Sequence, residues 1–88
     1  MPYIKQGQRA SIDVIVKQLS DHISGKPVED QDGMVNYAIT KLLKSVYPER
    51  YFHYNRAMGV LECIKSEFYR RQVASYEDKK IADNGDVK

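Results

Sequence analysis

At 88 residues, 42% hydrophobic and 30% charged, the chain has room for one domain and the composition of a globular protein, not a disordered one. A net charge of +2 is too small for a dedicated DNA-binding module, and no apolar run nears the ~18–20 residues of a membrane span. Met1 to Gln8 shows no secretory leader and the single cysteine, Cys63, rules out an internal disulfide frame, so an intracellular, cytoplasmic protein is expected.

Three segments carry apolar residues at helical spacing. In the first, Ile12, Ile15, Val16, Leu19 and Ile23 form one stripe, with Ser11 as the predicted N-cap and Gly25 and Pro27 as the stop. Residues 25–33 are rich in glycine, proline and acid and read as a solvated loop, with Asp32 capping the next helix. The second stripe is Val35, Ala38, Ile39, Leu42 and Val46, ended by Pro48. Residues 47–54 hold four aromatics and read as an aromatic loop folded back on the helices. The third stripe, from near Asn55, repeats the same offsets with Ala57, Val60, Leu61, Ile64 and Phe68. Beyond Phe68 that face turns polar at Arg71 and Gln72, and Ser75 to Asp78 has the form of a capping box. A helix break near Ala74 and a short fourth helix to about Ala82 are therefore expected, with Asn84-Gly85 as its stop.

The predicted architecture is all-α: three amphipathic helices plus a short C-terminal helix, in a single domain over residues 1–88 whose ends, 1–7 and 83–88, are loose. A chain this short hides only ~60–65% of the surface it exposes when unfolded. That small core, with the polar turn after Phe68, points to a homo-oligomer, most simply a homodimer.

The charge is uneven. Residues 24–34 set Lys26 against Glu29, Asp30 and Asp32, for a net −2. Residues 35–74 set seven bases against three acids, for a net +4. Catalytic chemistry has no foothold: there is no Gly-rich phosphate loop and no HExxH. His22 and His53 lack metal-ligand spacing, Cys63 sits beside the third stripe, and Glu62 and Glu67 face different sides. No metal, cofactor or enzymatic activity is expected.

What remains is tyrosine and cation. The chain has seven tyrosines and no tryptophan, and most of them lie among the bases of its second half. Rings stack on nucleobases and guanidinium forks grip phosphate, although the same residues also build protein interfaces. A small anionic, nucleotide-like ligand is the expected partner. Lys41, Arg70 and Arg71 would neutralise phosphate, Tyr37 and Tyr69 would stack, Asn36 would hydrogen-bond a base or ribose edge, and Lys79, with Lys80, would close the site from a neighbouring subunit. The alternative is an adaptor or inhibitor that meets a host protein through residues 47–54. Nucleic acid itself is the weaker candidate.

The opening Met1-Pro-Tyr-Ile4, Val35-Asn-Tyr-Ala-Ile-Thr-Lys-Leu42, Gly59-Val-Leu-Glu-Cys-Ile-Lys-Ser-Glu-Phe-Tyr-Arg-Arg71, Tyr76-Glu-Asp-Lys-Lys80 and Asn84-Gly-Asp-Val87 resemble a family of short proteins from bacteria and their phages, classed as a domain of unknown function. The resemblance covers most of the chain and implies a compact helical fold in a prokaryotic or phage setting, with no catalytic residues to carry over. The family pattern often has proline where this chain has Ser75, in keeping with a break there. Small helical proteins of that setting that oligomerise and bind nucleotides offer an analogy for sequestration, no more than that.

Overall fold

The computed structural model describes residues 3–87, and these are helical from end to end apart from short connections. A 3₁₀ turn, Gln6–Gln8, leads into α1, Ala10–Ser24. The Arg9 guanidinium donates to the Ile4 carbonyl at 2.9 Å, folding the extended start of the chain against that turn. Ser11 lies inside the first turn of α1 and caps nothing: the preceding 3₁₀ turn already supplies the entry, with the Asp13 amide donating to the Arg9 carbonyl at 2.8 Å. The predicted stop holds. α1 ends at Ser24, and the amides of Gly25 and Lys26 close back on the carbonyls of Asp21 and Ile23.

The acidic stretch is not a loop. α2 runs Val28–Val46, starting four residues before Asp32, which therefore caps nothing. Pro27 holds φ at −54°, ready for a helix start, and Glu29 and Asp30 occupy the first turn, where the positive end of the helix favours carboxylates. Gln31 fixes the corner, its side-chain amide donating to the Lys26 carbonyl at 2.9 Å. A short connection, Tyr47 to Arg50, then turns through Pro48 into α3, Tyr51–Phe68. Tyr51, Phe52 and Tyr54 thus stand in the first turn of α3, and the expected aromatic loop shrinks to its first four residues.

No break follows. A π-helical turn, Tyr69–Val73, passes directly into α4, Ala74–Asn84, so the expected short fourth helix is the far end of one long bent helix. The Ala74 amide reaches the Tyr69 carbonyl five residues back, and this widened turn absorbs the change of face after Phe68 without interrupting the backbone. Ser75 makes no capping bond. The helix does end where Asn84-Gly85 predicts, with Gly85 at φ +84° and its amide on the Ile81 carbonyl at 2.8 Å. At 1.5 Å per residue the whole rod is about 50 Å long, and it sets the 48 Å long axis of the molecule.

The predicted stripes form, but they do not close on one another. Among the described residues only Ile23 (9% exposed) and Ala57 (8%) are buried, while Ile15, Leu42 and Phe68 stay about 60% exposed. The radius of gyration is 16.6 Å, against ~12 Å for a compact chain of this length. The bundle is open, and its apolar stripes look outward.

Candidate functional site

The predicted ligand residues fall into two groups. The first lies on α2. Tyr37 and Lys41 are one turn apart, and the Lys41 ammonium sits 3.5 Å from the Tyr37 hydroxyl and 5.7 Å from its ring centroid. Both side chains wall a cleft of about 800 Å³ between α1 and α2. Its floor is apolar, from Leu19, Ile23, Met34, Ala38 and Leu42; His22 stands opposite, and Asp30 and Ser45 mark the two ends. This size and this mix of apolar floor and few polar groups suit a small organic ligand. Asn36, one residue before Tyr37, does not line the cleft, and its side-chain oxygen accepts from the Thr40 hydroxyl at 3.4 Å.

The second group lies on the long helix. Arg70 is already engaged, gripping both oxygens of Glu67 at 2.9 and 3.1 Å. Arg71 lies over the ring of Tyr3, 6.0 Å from its centroid, while the Tyr3 hydroxyl donates to Glu67 at 3.1 Å. Tyr3, Glu67, Phe68 and Arg71 border a second cleft, and its carboxylate opposes an anion there. Tyr69 turns the other way and donates its hydroxyl to Glu77 at 3.1 Å, bridging the π-turn. Lys79 is exposed on α4, apart from both clefts. Neither of these two clefts joins the α2 group to the Tyr69–Arg71 group.

Sequence reasoning missed two features. His22 walls the cleft, and its place on the rim of the first stripe was the available signal. Tyr3 had none, because the bond to Glu67 joins residues 64 apart in the chain.

The contacts on Glu67 make a pH prediction. Hydrogen bonds from Arg70 first, then from Tyr3, hold its carboxyl below the usual glutamate range, while the Glu77 acceptor raises the Tyr69 hydroxyl. A depressed folded-state carboxyl contributes stability that is complete above its unfolded pKa and is lost as pH falls through the folded value. Carboxyl-detected NMR titration should therefore place the Glu67 midpoint below the usual glutamate range, and Arg70→Ala should move it back up. An ordinary Glu67 midpoint in the intact protein would show that the Arg70 and Tyr3 bonds are not kept in solution.

Among the described residues no helix is long and apolar enough to cross a membrane, and no three metal-ligating side chains gather at one place. A family model described as a domain of unknown function, DUF6899, matches residues 1–87. The chain belongs to this family. No curated protein and no solved structure is matched by the DUF6899 chain. The family therefore supplies a grouping and no chemistry, and the α1–α2 cleft is left to argue for itself.

Proposed function

We propose that this DUF6899 protein is a non-enzymatic binding protein that captures a small anionic, nucleotide-like molecule in the cleft between α1 and α2. The observation that carries this reading is the pairing of Tyr37 and Lys41 on one wall of an apolar cleft of about 800 Å³. A flat ring can lie against Tyr37 and the floor at Leu19 and Leu42, while the Lys41 ammonium meets a phosphate at the rim. Asn36, Tyr69, Arg70, Arg71 and Lys79 drop out of the site within one chain, and Ser45 and His22 enter it as hydrogen-bonding groups.

Calorimetry of the full chain against a panel of mono- and dinucleotides tests the proposal. Saturable binding is expected, with Lys41→Ala weakening it about ten-fold or more, as the loss of a charge-assisted hydrogen bond dictates, and Tyr37→Ala by a similar factor through lost stacking. Both side chains are exposed, so circular dichroism should stay unchanged in both variants. Absence of binding across the panel, or affinities indifferent to both substitutions, overturns it.

One observation favours a second reading, a protein-binding adaptor. Tyr51 and Phe52 project from the first turn of α3 at 81% and 68% exposure, a surface expected of an aromatic anchor pair. An adaptor would ignore the nucleotide panel and lose its protein partner on Phe52→Ala.

A further inference from the structure

The Tyr37–Lys41 cleft does not end at Lys41. A smaller cleft of about 290 Å³ adjoins it, lined by Thr40 and Lys44 together with three residues of the first, Tyr37, Lys41 and Ser45. The two differ in chemistry. The larger has an apolar floor and the Asp30 carboxylate at one end, whereas the smaller is walled by hydroxyls and two ammoniums, with no acid lining it among the described residues. Along α2, Asp30 and Lys41 are separated by ~16 Å at ~1.5 Å per residue, so an anionic group is drawn to the lysine end.

Hydrogen bonds decide which groups there are free to bind. The Thr40 hydroxyl donates to Asn36 at 3.4 Å and the Ser45 hydroxyl to the Lys41 carbonyl at 2.8 Å, so both protons are spent within the helix. The Tyr37 hydroxyl instead accepts from Lys41 at 3.5 Å and keeps its own proton to donate. Neither lysine forms an ion pair among the described residues, whose ion pairs are Lys17–Asp21 and Glu67–Arg70. Spaced i,i+3, Lys41 and Lys44 are neighbours on one helix face with Cβ atoms ~5–6 Å apart, and their like charges repel until an anion lies between them. Lys41 borders both clefts and Lys44 only the smaller, so a phosphate at the rim meets Lys41 first and a further phosphate continues to Lys44.

We propose that the smaller cleft is a second phosphate subsite, and that the ligand is a nucleotide carrying a pyrophosphate group, held by Lys41, Lys44 and the Tyr37 hydroxyl, rather than a nucleoside monophosphate. The inference rests on the nucleotide reading above and names the ligand class within it.

Calorimetry of the full chain in metal-free buffer is the test, against the mono- and diphosphate of each common nucleoside and against inorganic pyrophosphate. The diphosphate is expected to bind about ten-fold or more tighter than the monophosphate of the same nucleoside, through one further charge-assisted contact. Lys44→Ala should remove that preference and Lys44→Arg should keep it; Lys44 is exposed, so circular dichroism should stay unchanged in both. Inorganic pyrophosphate should bind more weakly than the nucleoside diphosphate, because it leaves the apolar floor empty. Equal affinity for mono- and diphosphates, or a preference that Lys44→Ala leaves intact, overturns this proposal alone. Inorganic pyrophosphate binding as tightly as the nucleotide, or no nucleotide binding at all, overturns the capture reading with it.

Discussion

Ile23→Ala is expected to cost about 2–5 kcal/mol and to lower the thermal midpoint by about 10 °C or more. Folded domains hold roughly 0.05–0.15 kcal/mol per residue, or ~4–13 kcal/mol for a chain of this size, and one that buries so little belongs near the bottom of that range. Ile23 is one of two buried residues among those described, and it borders both the Tyr37–Lys41 cleft and a groove lined by Val16, Val35 and Ile39. It therefore sits between α1 and α2 at the closed end of the hairpin, where Gln31 also ties the corner. Removing its side chain opens a cavity that no second layer of core can fill. Thermal denaturation followed at 222 nm would read the loss, with Ile23→Val (about 0.5–1.5 kcal/mol) as the graded control. Ile15→Ala is the contrast, since Ile15 is 64% exposed. Equal costs at positions 15 and 23 would mean that burial in one chain does not measure what holds α1 to α2.

The difference between those two isoleucines marks what the sequence could and could not say. Periodicity found all three stripes and the helices that carry them, because a 3.6-residue repeat is a local property. It cannot say which surface meets the stripe. Ile15, Leu42 and Phe68 satisfy the pattern of a core residue and are exposed in the chain; a stripe turned toward another copy has the same spacing as one turned inward. The ends that failed did so for a shared reason. Glu29, Asp30 and Asp32 have loop composition, yet carboxylates in a first turn are also what a helix start favours, and Pro27 decided between the two. Tyr51 to Tyr54 read as a loop because aromatics are neutral helix formers, and only Pro48 and the extended Arg50 before them fix the boundary. The Ser75 box failed because a π-turn upstream absorbed the change of face, and no residue type announces a π-turn.

The candidate site was legible in the same partial way. Tyr37 and Lys41 are four apart, so their meeting on one helix face is local and was foreseeable. Grouping them with Tyr69, Arg70 and Arg71 required tertiary placement that neither charge nor aromatic content encodes. Glu67 occupies Arg70, and Tyr3 lies under Arg71, so that cluster holds Tyr3 against the long helix.

Ala57→Leu should act in the opposite sense to Ile23→Ala, by too much volume instead of too little. Ala57 is the one buried residue of the long helix among those described, at 8% exposure, on a helix whose Met58, Ile64 and Phe68 are exposed. Its methyl group is covered, and three further carbons there force a displacement costing about 1–3 kcal/mol. Ala57→Gly should also destabilise, by up to about 1 kcal/mol, through helix propensity alone. A stabilised Ala57→Leu would reveal a void at that contact and remove the argument. The two buried positions also separate the proposed binding cleft from the long helix. The Tyr37–Lys41 cleft is lined wholly by α1 and α2, and Ile23 lies in its floor while Ala57 does not. Nucleotide affinity, measured below the melting range of each variant, should therefore fall with Ile23→Ala and survive Ala57→Leu. Equal losses in both would place the long helix in the binding site, and the hairpin would no longer account for capture alone.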